Sequence, residues 1–591
     1  MNPQLQQALQ AHQANRFDEA ERLYRAVLQA EPDHADAMSL LGLVLGATER
    51  HDDAIAYAEK AVARDPQSAL FAFHLGTILT TAQKLPEGVA AFRKAIALKP
   101  DMPQAYYNMA NALRAMDQWT EAIAAYREAI RLLPTYAEAY NNLALSLVHE
   151  KDFDEALAAA KQAVTIEPRY GEGWRTLCNI AEQAKDYELA RAAGEQCVRL
   201  MPDSHFSWFG YGVALCRLNR YEEAIEVYKR ALALKPNRAD IWDNLGQTYQ
   251  SLNRLDEAEA TFRKTIEVAA QVITDEDSRE VAESEYGNRH WHLALMELLR
   301  GQYKRGFVRY RARYTCITNL KRPPYKPPLW KGEDLNGKTI LINDEQGFGD
   351  TLMFCRYLPL LKEMGAKVKL SIHPALKPLL EQSPYVDGVI VHDAVLTPFD
   401  CYASIFDLPY RFGTTLETIP ATMPYLPLLE PDDATRLPNK GRKKIGVVWG
   451  GSPLHSNDAK RSIPLPVFAE LFQNKNVEFF SLNRDLKSGD AELLPNYPVI
   501  DLAPRIKDFA AAARIIGQLD LIITCDTATA HLAGGMGKPV WVLLPFAPDW
   551  RWLTEREDSP WYPTARLFRQ KATGDWTDVI ANVGKALSET K

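Results

Sequence analysis

The chain has little of what usually assigns a protein at a glance. Lys+Arg 69 against Asp+Glu 76 leave a net charge of −7, so there is no basic excess to hold nucleic acid and no polybasic anchor for a membrane surface. No run of 18 apolar residues occurs, which excludes a spanning helix of ordinary length. The opening stretch, MNPQLQQALQAHQANRF, is polar and amphipathic rather than basic and then apolar, and it predicts a cytoplasmic protein. Cysteine is scarce: Cys178, Cys197, Cys216, Cys316, Cys355, Cys401 and Cys525 are scattered, odd in number, without a CxxC pair or histidines at ligand spacing. Reduced thiols and no metal site are expected. What is present is ordinary globular chemistry, 47% hydrophobic and 25% charged over 591 residues, a length that requires several folding units.

The first half has an internal period. Pro32, Pro66, Pro100, Pro134, Pro168, Pro202 and Pro236 follow one another at intervals of 34 residues. Small and apolar residues recur in phase: Leu41-Gly42, Leu75-Gly76, Leu143-Ala144, Tyr211-Gly212 and Leu245-Gly246, then Ala54, Ala122, Ala156, Ala190, Ala224 and Ala258. Two antiparallel helices approach closely only where small side chains face each other, and proline stops the second helix before the next unit begins. One such unit buries too little apolar surface to stand alone; stacked units share a core.

This pattern resembles the tetratricopeptide (TPR) family over residues 1–270. The resemblance implies an α superhelix with a concave, partner-binding face. Asn108, Asn142 and Asn244 fall at one place on the first helices of repeats four, five and eight. There their amides can pair with the backbone of a protein acceptor, although asparagine is also common at this repeat position. Beyond Thr265 the phase is lost, and residues 271–320 read as a divergent capping repeat split at Arg300-Gly301. A proline-rich linker, 321–338, follows.

From Lys338 short apolar runs alternate with amphipathic segments, the pattern of parallel sheets covered on both faces. Strands are predicted at Thr339–Asn343, Lys367–Ile372, Gly388–Val391 and Ala403–Asp407, with a helix over Thr351–Met364. Further strands are predicted at Lys444–Trp449, Val477–Leu482, Leu521–Thr524 and Pro539–Leu544, and helices at Lys507–Gln518 and Asp575–Leu587. The reading is two Rossmann-like lobes, 339–425 and 440–591, with a ligand cleft at the carboxyl edges of their sheets.

Three turns carry candidate chemistry. The first, Asp344-Glu345-Gln346-Gly347-Phe348-Gly349-Asp350, is neither a GxGxxG fingerprint nor a P-loop. The second, Trp449 to Ser462, presents Ser452, Asn457, Lys460 and Arg461, cations suited to a departing phosphate or to a solvated loop. The third, Thr524-Cys525-Asp526-Thr527-Ala528-Thr529-Ala530-His531, puts hydroxyls at a helix start, a seat for phosphate or a set of caps around a core histidine. Arg551 lies among Trp550, Trp552 and Trp561, a composition for stacking a base or sugar. In these segments no DxD and no Ser/His/Asp triad order is evident, so metal-independent transfer without a covalent intermediate is expected.

The Gly349-Asp350 turn and the Asp526-Thr527 to His531 segment resemble the heptosyltransferase-like glycosyltransferases, whose fold is GT-B. The resemblance implies Asp350 as general base, with Glu345 in the same turn as the other candidate. It also implies a nucleotide-sugar site around Gly349, Ser452, Asn457, Lys460, Arg461, Asp526, Thr527, Thr529, His531 and Arg551. Asp350 also reads as the N-cap of a helix beginning at Thr351.

With repeats in front, the whole chain is similar to bacterial TPR-glycosyltransferases that modify flagellin. A protein O-glycosyltransferase is therefore implied, inverting and without cofactor. Its sugar donor is nucleotide-linked, with CMP-linked nonulosonic acids such as pseudaminic or legionaminic acid among the candidates. Its acceptor is Ser/Thr of a protein, flagellin being the one indicated. The heptosyltransferase resemblance alone implies a glycan or lipopolysaccharide transferase, and a non-catalytic TPR adaptor is the third reading.

Overall fold

The computed structural model describes residues 3–589 apart from 273–278, 317–319, 321–322, 324, 346, 393–396, 453–457 and 488. The chain forms two compact units, Met1–Pro236 and Asn237–Lys591.

The first unit is seven helix pairs, from Pro3–Gln13 and Phe17–Ala30 to His205–Arg217 and Tyr221–Leu234. Each proline of the ladder stands two residues beyond a second helix; the helices ending at Ala30, Arg64 and Leu98 precede Pro32, Pro66 and Pro100. The predicted small residues mark close approaches. A Cβ on Gly76 would stand 2.7 Å from the Phe92 ring, and Ala54, Ala122, Ala156, Ala190 and Ala224 are fully buried.

The turn inside each pair was not visible as a pattern of residue types. Asn15, Glu49, Gln83, Asp117, Lys151, Lys185 and Asn219 all adopt positive φ, and none is glycine. A left-handed L-residue costs about 1–2 kcal/mol. It is held by paired end bonds of the Schellman kind, such as Asn15 N–H to the His12 carbonyl at 2.9 Å and Arg16 N–H to the Ala11 carbonyl at 2.9 Å.

The second unit begins with the eighth pair, Ala239–Ser251 and Leu255–Val272, again joined through a positive-φ residue, Asn253. The compact units thus divide inside the repeat region. Helices Arg279–Leu299 and Tyr303–Tyr310 follow, separated at Gly301 with φ +74°, where the sequence predicts the split. Arg300 ties the longer helix to the eighth pair through Asp256 at 2.6 Å and Glu259 at 3.0 Å.

Two all-parallel sheets complete the unit. The first has the order β3-β2-β1-β4, with β1 Thr339–Asn343, β2 Lys367–Ile372, β3 Gly388–Val391 and β4 Cys401–Ser404. The second has the order β10-β9-β8-β5-β6-β7: β5 Lys443–Val448, β6 Val477–Ser481, β7 Val499–Asp501, β8 Leu521–Cys525, β9 Val540–Leu544 and β10 Ala565–Arg569. Strands β8 and β9 are buried throughout, as parallel strands covered on both faces must be.

Some predicted bounds shift. Residues Ile405–Asp407 turn into a 3-10 helix, so β4 ends at Ser404. The helix predicted over Thr351–Met364 is three pieces, Phe348–Phe354, Cys355–Tyr357 and Leu358–Glu363. Pro359 has no N–H to give the preceding turn, which interrupts the ladder there. The helix predicted from Lys507 starts at Phe509, because Asp508 caps it by accepting from Ala511 N–H at 2.8 Å. Strands β7 and β10 were not predicted; β7 is only three residues long.

Candidate functional site at the sheet edges

In each sheet the strand order reverses beside the first strand, between β1 and β4 and between β5 and β8. Open parallel sheets bind ligands at such switch points, outside the carboxyl ends of the strands. A cavity of about 930 Å³ lies there, wholly within the second unit. Its walls are the turns after β1 (Gly347 to Asp350), β5 (Gly450 to Ser452, with Lys460 and Arg461), β6 (Asn483 to Asp485), β8 (Asp526 to Thr529, with His531) and β9 (Pro545 and Ala547 to Arg551). A further wall comes from helices: Gln247, Gln250, Ser251 and Asn253 of the eighth pair, and Trp291, His292, Leu295 and Leu299.

Asp350 is not an N-cap. The helix Phe348–Phe354 starts two residues before it, Gly347 is the N-cap, and Asp350 sits in the first turn. A carboxylate there still favours the helix dipole. Its Oδ1 pairs with Nη2 of Arg551, 201 residues away in sequence. The Arg551 Nη1 bonds Asp549 Oδ1 at 2.6 Å, and its guanidinium lies 4.5 Å from the Trp550 ring. Burial raises the Asp350 carboxyl above its ordinary range, and Arg551 only partly offsets this. For Arg551 burial opposes the charge, but Asp350 and Asp549 outweigh it and hold the guanidinium protonated.

The β8 turn is equally constrained. Burial, with the Asp549 carboxylate second, pushes Asp526 up to about 6. Its Oδ1 is 3.9 Å from His531 Nε2, and His531 Nδ1 is 2.8 Å from Tyr562 Oη. The imidazole is stacked against Trp552 at 5.4 Å. Burial, followed by Arg551, lowers the His531 pKa far below the usual value, so the ring is neutral near pH 7. Thr527 is the N-cap of the helix Ala528–Gly535, but its hydroxyl pairs with Thr524 at 3.0 Å rather than with the helix. Gly349 lets the two helix starts meet: a Cβ would stand 2.6 Å from His531 Cδ2 and 3.4 Å from Ala528 Cα.

On the β5 side, Arg461 Nη1 donates to the Asp526 carbonyl at 3.0 Å. This joins the second and third turns. Ser452 and Lys460 are exposed on the cavity wall. Asn457 lies outside the described residues.

Other sequence-predicted residues lie elsewhere. Glu345 does not line the cavity. Its carboxylate is 3% exposed and bound by Arg313 at 2.7 Å, and Arg313 also holds Asp407 at 2.8 Å. Tyr314 donates to Glu345 as well. A buried carboxylate neutralised by a fully buried arginine is a structural partner, so the assignment of Glu345 as a base is corrected. Among the amides, Asn142 donates to Tyr107 Oη at 3.1 Å and Asn111 Oδ1 at 2.9 Å and accepts from Asn141 at 3.1 Å. Asn244 donates to the Asp240 carbonyl of its own helix at 2.9 Å. Each amide thus makes bonds within its own chain, Asn142 three and Asn244 one. Asn108 is half-buried.

Sequence reasoning missed Asp549, Asn483 and the helical wall. Asp549 sits inside the aromatic segment Pro545 to Trp552, where composition pointed to stacking. Asn483 fixes the β5 turn by accepting from Trp449 N–H at 3.0 Å.

Fold and site together define a repeat protein carrying an α/β unit with a polar cavity at its sheet edges. The repeats are tetratricopeptide repeats: models described as "Tetratricopeptide repeat" match residues 5–69, 40–103, 101–168 and 239–271, and one described as "TPR repeat" matches 212–253. The chain is similar to Protein FlbA of Caulobacter vibrioides, 27% identical over 339 residues, which is 50% of this chain and 55% of that protein. It thus spans about half the length of this curated relative. Among solved structures it is similar to MamA (28% identical, 27% of this chain and 94% of that one, TM-score 0.26) and to YrrB, described as a TPR protein with an unusual peptide-binding site (24%, 30% and 93%, TM-score 0.29).

Proposed function

We propose that the chain is a protein O-glycosyltransferase of GT-B type. On this reading the TPR array recruits a protein acceptor, flagellin being the first candidate, and the sheet-edge cavity holds a nucleotide-sugar donor. The observation that carries the reading is the cavity itself. It sits at two parallel-sheet switch points and has room for a nucleotide sugar. It also gathers Lys460, Arg461 and Arg551 with the starts of two helices, a setting for a phosphate that leaves with negative charge.

In the transfer an acceptor Ser/Thr oxygen attacks the anomeric carbon as the bond to the donor phosphate breaks. The nucleotide departs with the electron pair toward Arg461 and Lys460, and the acceptor proton passes to a base on the cavity wall. CMP-linked nonulosonic acids are one candidate donor class, beside diphosphate-linked sugars. The full chain should be incubated with monomeric flagellin and CMP-, UDP-, ADP- and GDP-linked sugars, and the acceptor mass followed. An increment of one sugar with one donor class supports the proposal. An unchanged mass with all of them refutes it.

A further inference from the structure

The acceptor proton needs a base that reaches the cavity without first breaking an ion pair. Asp350 is paired with Arg551, and Asp549 is spent on the same guanidinium at 2.6 Å. His531 is 6% exposed and bonded to Tyr562 at 2.8 Å. None of these is poised.

The helical wall offers a different group. His292, on the helix Arg279–Leu299, lines the cavity and keeps 24% of its side chain exposed. Its Nδ1 is 2.8 Å from Oδ1 of Asp243, on the first helix of the eighth repeat. A carboxylate only accepts, so Nδ1 carries the hydrogen of this bond, and in the neutral imidazole Nε2 keeps the lone pair. Asp243 is itself fixed, because its Oδ2 accepts from Gln247 Nε2 at 2.8 Å. A carboxylate that sets the tautomer of an imidazole and then faces the imidazolium is the arrangement that activates hydroxyl nucleophiles in Ser-His-Asp hydrolases.

We propose that His292, oriented by Asp243, is the general base that deprotonates the acceptor hydroxyl; this rests on the glycosyl-transfer reading above. The hydroxyl oxygen bonds the anomeric carbon, its proton goes to His292 Nε2, and the anomeric carbon–phosphate bond breaks with its electrons leaving on the nucleotide. The imidazolium is stabilised by Asp243 until the proton is lost to water. Asp350 then has another role, positioning Arg551. One consequence is that the last repeat supplies part of the chemistry as well as part of the array.

The test uses the full chain, monomeric flagellin and whichever of the CMP-, UDP-, ADP- or GDP-linked sugars the unaltered protein transfers. His292→Ala should lower the turnover rate about 100-fold or more while nucleotide affinity stays within about twofold, and added imidazole should return about tenfold of the loss. Asp243→Asn can donate to Nδ1 and so forces the proton onto Nε2; it should lose about tenfold or more, and Asp243→Glu less. If His292→Ala transfers within about threefold of the unaltered chain, or if its loss is not returned by imidazole and Asp243→Asn is fully active, the inference is overturned. No transfer by the unaltered chain would instead remove the glycosyltransferase reading on which it stands.

Discussion

The two compact units hold themselves together in opposite ways. In Met1–Pro236 the same solution is used seven times: a small residue where helices meet, a left-handed residue in the turn, a proline after the second helix. Its side-chain contacts run between neighbours, as in Arg93 to Glu121 and Arg127 to Glu155, each pair 28 residues apart. In Asn237–Lys591 the decisive pairs are unique and distant, with Asp350 and Arg551 separated by 201 residues and Arg313 and Asp407 by 94. Repetition makes an array tolerant, because each unit contributes a similar increment of stability. A site built from single long-range pairs has no such redundancy, and this contrast is open to experiment.

The largest effect is expected from the buried ion cluster. Arg313→Ala removes the guanidinium that pairs with both buried carboxylates, Glu345 and Asp407, and should destabilise the sheet-bearing unit by about 3–5 kcal/mol. Denaturant unfolding followed by the tryptophans of that unit reads this out; a loss below about 1 kcal/mol would show that the cluster is solvated. Next in size is overpacking of the array. Ala122→Leu at a fully buried position should cost about 1–3 kcal/mol in the thermal unfolding of the array. Nucleotide binding should be unchanged, since none of the first seven repeat pairs contributes to the cavity wall. A matching loss of nucleotide affinity would break the comparison.

Proton linkage gives the third test. The Asp526 pKa in the folded unit, raised to about 6, exceeds its unfolded value. Its protonation therefore stabilises the fold fully below about pH 4, and this contribution is lost as the pH rises through about 6. Between those values the unaltered chain should lose on the order of 2 kcal/mol relative to Asp526→Asn. Parallel stability curves for the two proteins would contradict the assignment. The smallest effect belongs to the exposed pairs of the array: Arg127→Ala removes a bidentate contact to Glu155 and should change stability by less than about 1 kcal/mol.

Legibility from sequence divides along the same line. A period of 34 is a local regularity, so helices, prolines and small residues could be placed from spacing alone. Strands β1, β2 and β3 coincide with the apolar runs that predict them, because buried parallel strands are continuous and bounded by turn residues. The turns after β1, β5 and β8 were recognised as chemically loaded, and they do line one cavity. What was not legible is which polar groups pair with each other. Glu345 and Asp350 sit five residues apart in the same turn, yet one is clamped by Arg313 and the other faces the cavity. Nothing local in Glu345-Gln346-Gly347-Phe348-Gly349-Asp350 distinguishes them. His292 was hidden for the reverse reason, since its segment reads as an amphipathic capping helix and its partner Asp243 lies 49 residues earlier.

The account depends most on the sheet-edge cavity being a nucleotide site. Calorimetric titration of the full chain with CMP, UDP, ADP and GDP, repeated on Arg461→Ala, addresses this directly. The predicted result is one nucleotide binding with a stoichiometry near one and losing about tenfold or more in affinity in the variant. No binding by any of the four, or binding that Arg461→Ala leaves untouched, would contradict it.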